Sequence, residues 1–425
     1  MRAIAPSLLT ALTLAACGAS TPRSSLPEGS TVHTMDELRI VASRGEDGSV
    51  DFESYDAGQL FEAGTRLVQT GRCREGVERF YDRLVREFPT SRYAPVALYN
   101  SAICLQQGGE LEASIPYFRQ LLELAPDGRD GRHGALQLAQ VYVELERWDD
   151  ALELTERVLL REDLTSAERL EGLARRAQAL LGVGRRDDAE RQARNALSYY
   201  RLQQNGSNAI ADPYFAAAVN FVLAESIRQR SEAIPIPAAT ATAQHEVLDQ
   251  RAQLLLDAQR EYFNTIRLTA PEWSAASGYR IGSMFEQLWQ ALMQAPIPPP
   301  SRELAESTMP IYREEYRAEL ARHIRPLLRH AIHYWEMTLL LIEQTGLHNE
   351  WTQRTRQDLE RMRGLVLEQN RDEEREDTSE DPPSVSLEGV LELPLALLEL
   401  DVSAQSQAIL ARYGSRLTAS GATSK

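Results

Sequence analysis

Lysine is almost absent from this sequence. The only lysine is the last residue, Lys425, and all the other residues among the 46 basic ones are arginines. A P-loop, a Schiff-base centre and a protein-kinase site each need a lysine within their motif. The sequence therefore excludes these three kinds of site. It also lacks a Gly-x-Ser-x-Gly motif, in which α/β-hydrolases carry their nucleophile.

The sequence also has fewer basic than acidic residues and few long apolar runs. The 62 acidic residues give a formal net charge of −16 at pH 7. An acidic surface of this size argues against binding to nucleic acid or to anionic membrane faces. After the first 16 residues, no segment is apolar enough to cross a bilayer. The composition, 43% hydrophobic and 25% charged, is that of a globular chain, long enough for two domains or one long repeat array.

Residues 1–16 are predicted to be an export signal. Arg2 provides the positive start, and the apolar stretch that follows is too short to span a membrane. It ends in Leu14-Ala15-Ala16-Cys17, which resembles the lipobox of bacterial lipoproteins, where the thiol takes up diacylglycerol as a thioether. We therefore predict that Cys17 is lipidated; the alternative is an ordinary signal peptide with a chance cysteine. Gly18, rather than an aspartate, follows the cysteine and favours sorting to the outer membrane.

Small residues recur at a regular spacing after residue 57. In a tetratricopeptide repeat (TPR), two antiparallel helices cross closely, so the first helix carries a small residue and the second begins with one about twelve positions later. The position that begins the second helix recurs at Gly76, Ala113, Ala151 and Ala189, in steps of 37, 38 and 38 residues. We therefore predict four TPR units in residues 57–205. Unrelated amphipathic helices are the alternative.

The same pattern continues, with insertions, through residues 206–368. A fifth unit pairs Tyr214–Arg228 with a helix around Tyr262, and a sixth pairs a helix around Gly282 with one around Trp335. A last helix, near residues 349–368, is predicted to cap the final apolar face, as terminal repeats require. The predicted fold class is therefore all-α, a TPR helical-hairpin solenoid of about six units, the last two with insertions.

The two ends of the chain have a different character. Residues 17–56 are predicted to be a tether, in which Leu38–Ala42 and Val50–Ser54 either pair as a small hairpin or stay irregular. Residues 369–425 are predicted to be an acidic linker and a mostly disordered tail. Within that tail, Val390–Leu400 is apolar and is a candidate for docking on the array.

Two stretches carry a resemblance to a known class of protein. The turn EFPTSRYAP at residues 87–95 resembles the inter-repeat turn of periplasmic TPR proteins from envelope-assembly complexes. The stretch from Pro271 through Gly282 to Pro299 is similar to large TPR lipoproteins of myxobacteria and their relatives, including those of the adventurous gliding machinery. The resemblance covers most of residues 57–368. It implies an outer-membrane-anchored periplasmic protein that works as a scaffold in a multiprotein complex.

Cys73 and Cys104 are predicted to form a disulfide. In the repeat pattern they lie near the same end of adjacent antiparallel helices, and export would place them in an oxidising compartment. The alternative is two separate buried thiols.

The concave side of the array is the predicted binding surface. First helices stack side by side along it, and a mixture of apolar and polar side chains suits an extended peptide or a partner helix. The pattern places six residues near this groove: Phe61, Thr65, Val68, Leu98, Leu105 and Gln106.

The predicted function is that of a non-enzymatic scaffold or adaptor in an envelope complex, with gliding motility as one candidate machine. Its expected partners are other envelope proteins and, through the lipid, the outer membrane; no nucleic acid, cofactor, metal or small-molecule substrate is expected. One alternative is a pilotin-like assembly factor for a secretin or another outer-membrane protein. A second is a metal-dependent envelope enzyme that uses His323, His330 and His333, which lie on one helical face.

Overall fold

The computed structural model describes residues 37–44, 50–300, 302–376, 387 and 390–422. Cys17 and the predicted export signal lie outside these residues. The structure is 77% helical, and its helices follow one another as antiparallel pairs. The predicted all-α, TPR-type solenoid is thereby confirmed. Within the described ranges, no helix is both long enough and apolar enough to cross a membrane.

The described helices from Ala57 to Glu376 form six successive pairs and one further helix. In the first pair, α1 (Ala57–Gln69) is followed by a second helix made of three continuous segments. These segments are α2 (Cys73–Gly76), a π-helical turn (Val77–Tyr81) and α3 (Asp82–Glu87). The next pairs are α4 (Tyr93–Gln107) with α5 (Leu111–Leu124), α6 (Arg129–Glu144) with α7 (Trp148–Leu159), α8 (Ser166–Gly182) with α9 (Arg186–Gln204), and α10 (Tyr214–Glu232) with α11 (Ala241–Arg267). The sixth pair is α12 (Pro271–Met293) with α13 (Met309–Thr345), and α14 (Glu350–Glu376) follows it.

The tight turns inside the first four pairs share one backbone conformation. One residue takes a positive φ there: Gly71 (79°), Gly109 (78°), Glu146 (56°) and Gly184 (78°). A left-handed residue ends a helix and reverses the chain, and glycine adopts this conformation without a steric penalty. These positions follow the repeat period, so the turn recurs with the helices.

Small residues let the two helices of a pair cross closely. A Cβ added at Gly64 would lie 2.6 Å from the Tyr81 ring, and one at Gly282 would lie 2.6 Å from Cδ1 of Trp335. Trp335 is fully buried and donates its indole N–H to the Tyr279 carbonyl at 3.0 Å. The small-residue positions of the sequence pattern are therefore positions of helix crossing.

The first helices of successive pairs also contact one another along the array. Such contacts join α4 to α6, α6 to α8, α8 to α10, α10 to α12, and α12 to α14. The backbones of successive second helices lie farther apart and meet through side chains, as where Gln259 of α11 donates to the Tyr334 hydroxyl of α13 at 2.6 Å. The first helices therefore line the inner side of the curve.

A two-stranded hairpin precedes the first repeat. The strands β1 (Leu38–Arg44) and β2 (Val50–Asp56) pair in an antiparallel arrangement. Of the two alternatives for these residues, the structure has the small hairpin and not the irregular chain. Tyr55 of β2 lies edge-on to Phe88, with ring centroids 6.2 Å apart, and donates its hydroxyl to Glu87. The Arg83 guanidinium lies 4.0 Å above the Tyr55 ring. These contacts fix the hairpin to the second helix of the first pair.

The C-terminal residues differ from the prediction of an acidic linker and a mostly disordered tail. The helix α14 continues to Glu376, and α15 (Leu395–Leu398) and α16 (Val402–Ala422) follow the stretch that the structure leaves undescribed. α16 packs against α11 and α13, the second helices of the last two pairs. The small and polar residues of this segment resemble a linker, but a stripe of side chains at helical spacing is buried against the array and stabilises a helix. Its members are Val402, Ser406, Ile409 and Tyr413.

The apolar stretch before α16 also lies against the array. Leu391, Leu393 and Leu397 are buried, and the Leu391 amide donates to the Tyr316 hydroxyl at 3.3 Å. Upstream, the insertion in the sixth unit is helical from Met309 and runs without a break into the second helix of that pair, because α13 is a single helix of 37 residues.

Candidate binding surface

A row of polar and aromatic side chains crosses the inner side of the array. Its members come from consecutive first helices, α4 to α12, and most of them are half-buried or buried. We call this row the inner strip, and it comprises Tyr99, Gln140, Glu144, Glu171, Arg175, Tyr214, Phe215 and Glu272.

Arg175 connects the helices at the centre of the inner strip. It is 5% exposed. One terminal nitrogen donates to Gln140 Oε1 of α6 at 3.0 Å, and the guanidinium lies 5.2 Å from the centre of the Phe215 ring of α10. The other terminal nitrogen donates to Gln178 Oε1 at 3.4 Å. Its Nε–H is buried and meets no acceptor among the described residues.

The carboxylates of the inner strip are only partly neutralised. The Glu171 side chain is 14% exposed, and the Arg175 guanidinium lies 3.9 Å from its carboxylate. Burial raises the pKa of Glu171, and the neighbouring Glu168 raises it further, although Arg175 opposes both. The carboxylate therefore lies where its charge is poorly solvated and weakly paired.

The pKa values of two tyrosines on the inner strip are also raised. Burial, followed by the charge of Glu272, raises the pKa of Tyr214 to about 12, and the Tyr214 hydroxyl donates to Glu272 Oε2 at 3.1 Å. The pKa of Tyr99 is raised by burial and then by Asp130 and Glu171. Burial is the main reason why the ionised phenolates are disfavoured, and the nearby carboxylates add to it.

The groove residues predicted in the first unit lie in a half-buried aromatic cluster. The Phe61 ring stacks on Tyr93 with centroids 5.2 Å apart. The Thr65 hydroxyl donates to the Phe61 carbonyl at 2.8 Å and lies 2.9 Å from the Tyr81 hydroxyl. Val68 packs against the same core. Phe61, Thr65 and Val68 are each partly exposed.

Two of the predicted groove residues do not line a surface. Leu98 and Leu105 are 1% and 4% exposed, so neither can contact a ligand in this structure. They lie seven residues apart on one helical face, which is turned into the protein. Their neighbour Tyr99, rotated by one residue around α4, is the side chain that reaches the inner strip. Gln106 is half-buried, and its Oε1 has no partner among the described residues.

The two cysteines of the array lie close together. Cys73 begins α2 and Cys104 lies near the end of α4, and the structure joins them as a disulfide with their Cα atoms 5.8 Å apart. This distance is ordinary for a disulfide. Arg74, next to Cys73, also pairs with Glu110, which lies just before α5. The disulfide and the ion pair therefore link the first two units.

The three histidines of α13 each have a different neighbour. His323 Nε2 lies 3.0 Å from Glu319, His330 Nε2 lies 3.1 Å from the Leu397 carbonyl, and His333 Nε2 lies 2.9 Å from the Ser406 hydroxyl. His330 and His333 face the C-terminal segment. In the part of the chain that the structure describes, no group of three or more His, Cys, Asp or Glu residues is arranged to hold a metal ion.

A comparison with known protein families agrees with this fold. Residues 61–129 match the tetratricopeptide repeat family. No curated protein matches the chain.

Solved structures that resemble the chain include MamA (residues 41 to the end) from Desulfovibrio magneticus RS-1. Its sequence is 14% identical, the match covers 50% of this chain and 97% of that one, and the TM-score is 0.32. A tetratricopeptide repeat protein from Parabacteroides merdae has 14% identity, covers 70% and 98% of the two chains, and has a TM-score of 0.34. A Rap protein in complex with competence and sporulation factor has 11% identity, covers 74% and 99%, and has a TM-score of 0.28.

Proposed function

We propose that this chain is a non-catalytic scaffold that holds other proteins of the bacterial envelope along its inner strip. A TPR-type solenoid is a fold that binds other proteins, because its stacked helices present an extended concave surface. The proposal goes further, since it assigns the binding to particular helices and the partners to a particular compartment.

One observation carries the proposal: the inner strip is continuous. Side chains of α6, α8 and α10 meet at Arg175, and α10 and α12 meet where Tyr214 donates to Glu272. Partly exposed aromatic rings alternate with hydrogen-bonding groups along this line. Such a surface gives an extended segment both apolar contact and polar anchoring points.

The location is part of the proposal and is supported by the sequence. The lipobox-like run that ends at Cys17 would place a lipid at the N-terminus of the mature chain. About 20 residues separate Cys17 from β1, enough to reach roughly 65 Å when fully extended. An outer-membrane anchor would then leave the array free to work in the periplasm. The resemblance to gliding-machinery lipoproteins makes that machine one candidate for the complex.

Site-specific photocrosslinking in cells tests the binding surface. A photoreactive amino acid at Gln178, which is half-buried on α8 beside Arg175, should crosslink a partner protein in high yield. The matched control is the same amino acid at Glu153, which is exposed on α7, a second helix. Crosslinks at Glu153 but none at Gln178 would refute the inner strip as the binding surface.

A further inference from the structure

The inner strip has more negative than positive charge. Glu144, Glu171 and Glu272 lie on it, and its only cation is Arg175. The nearby Arg132 of α6 is already engaged, at 2.9 Å by Asp163 and at 3.5 Å by Glu168. A ligand that lies along the strip therefore meets carboxylates that the protein itself leaves without close counter-ions.

Glu171 is the carboxylate that would gain most from a cationic ligand. A half-buried charge is stabilised by an opposite charge at hydrogen-bonding distance, and the 3.9 Å separation from Arg175 exceeds that distance. The free chain therefore bears an electrostatic cost at this position. A cation bound within about 3 Å of Glu171 would remove that cost.

The aromatic rings of the strip suit the same kind of group. Arg175 already places its guanidinium against the Phe215 ring. The Tyr99 and Tyr214 rings are half-exposed, and nearby carboxylates contribute to the raised pKa of each hydroxyl. An arginine or lysine side chain attracted by the carboxylates can therefore also contact an aromatic face.

We infer that the inner strip binds an extended, basic peptide segment of the partner protein, with an arginine or lysine of that segment paired to Glu171. This inference rests on the proposed function and specifies the chemistry of the partner. An acidic segment would add repulsion along the strip, and a neutral one would leave Glu171 unpaired.

Peptide titration with the full mature chain tests the inference. The probes are fluorescein-labelled 12-residue peptides of alternating arginine and alanine, glutamate and alanine, or glutamine and alanine, followed by fluorescence anisotropy at physiological ionic strength. The arginine peptide should bind at least ten-fold more tightly than either of the others. Equal affinity for the three peptides, or no binding of the arginine peptide, would overturn the inference.

Substitutions separate this site from general attraction to an acidic protein. Glu171→Gln should weaken the arginine peptide about five-fold or more. Glu144→Gln should weaken it as well, and this side chain is exposed, so its replacement leaves the packing intact. Glu153→Gln removes the same charge from α7 and should change the affinity by less than two-fold. If all three substitutions have equal effects, the binding is non-specific and the inference fails.

The crosslinked segment distinguishes this inference from the proposed function. Mass spectrometry of the adduct at Gln178 identifies which part of the partner lies on the strip. A segment with an excess of arginine and lysine supports the inference. An acidic or neutral segment there would refute the basic ligand and leave the inner strip as the binding surface, whereas no adduct at all would refute the proposed function itself.

Discussion

Replacement of Gly282 by alanine should destabilise the last two units of the array. The new Cβ would lie 2.6 Å from Cδ1 of Trp335, which is well inside van der Waals contact. Trp335 cannot move aside easily, because it is fully buried and its indole N–H is held by the Tyr279 carbonyl of the same helix as Gly282. The substitution therefore forces α12 and α13 apart.

The magnitude follows from two opposing effects. Overpacking of a well-packed core costs about 1–3 kcal/mol, and a fully buried tryptophan argues for the upper end. Replacing a glycine in a helix by alanine returns about 0.5–1 kcal/mol of conformational free energy. The net loss in the free energy of unfolding should be about 2 kcal/mol. With a urea dependence on the order of 2 kcal/mol per molar, the unfolding midpoint should fall by about 1 M.

Gly364 provides the matched control. It lies within α14, is exposed, and a Cβ added there meets nothing within 4 Å. Gly364→Ala should therefore stabilise its helix by up to about 1 kcal/mol. Urea unfolding followed by circular dichroism gives both midpoints, and hydrogen exchange locates the loss for Gly282→Ala to α12 and α13. If the two substitutions shift the midpoint equally, the close crossing at Gly282 does not exist.

Three further predictions concern the ends of the chain. Cys17→Ser should leave an unprocessed precursor outside the outer-membrane fraction, which cell fractionation and mass spectrometry would detect. Replacing Cys73 and Cys104 by serine opens a covalent loop that contributes roughly 3–4 kcal/mol on the chain-entropy model, so hydrogen exchange should rise in the first unit before the middle of the array. Burial lowers the pKa of His330, so the docked C-terminal segment should lose exchange protection as the pH falls below about 6.5.

Each of these three has a clear opposing result. A Cys17→Ser protein that remains in the outer membrane argues against lipid anchoring. Uniform loosening of all units without the disulfide would mean that the bond does not act at the first unit. For His330, the sign is set by proton binding: the unfolded or released state takes up a proton more readily than the docked state, so the stabilisation is present at neutral pH and is lost on acidification. His330→Gln should remove this pH dependence, and a wild-type segment equally protected at pH 7 and pH 5.5 contradicts it.

The repeat architecture was predictable because its markers are local. Helix crossing requires a small residue, and the reversal inside each of the first four pairs requires a left-handed one, so both recur with the helices at Gly71, Gly109 and Gly184. A period read from such positions needs no knowledge of distant contacts. Glu146 fills the same turn in the third unit without being a glycine, which shows that the period is more informative than the residue type.

The inner strip was harder to predict because it depends on helix rotation. A shift of one residue turns a side chain by about 100° around its helix, and this separates buried Leu98 from Tyr99. Glu171 and Arg175 are not among the marker positions of the repeat pattern, and each reads alone as an ordinary charge on a helix. Only contacts between units, such as that between Arg175 and Gln140, identify them as one surface.

The C-terminal helix was missed for a related reason. Its buried stripe is narrow, and the intervening serine, alanine and glycine residues make the segment look like a linker. What holds it is specific to the tertiary structure: Tyr334 donates to Gln405 at 3.0 Å, and His333 lies 2.9 Å from Ser406. The apolar surface of α11 and α13 that receives it cannot be read from the sequence of the segment itself.

The distribution of these contacts favours the inner side as the working surface. The terminal units of a solenoid have a neighbour on one side only and are its weakest parts. Here the first unit is held by the Cys73–Cys104 disulfide and by the hairpin at Tyr55, and the outer side of the last two units is covered by α16. Both ends are thus reinforced on surfaces other than the inner strip. The half-buried and weakly paired Glu171 lies between these reinforced ends, where the first helices stack along the inner side.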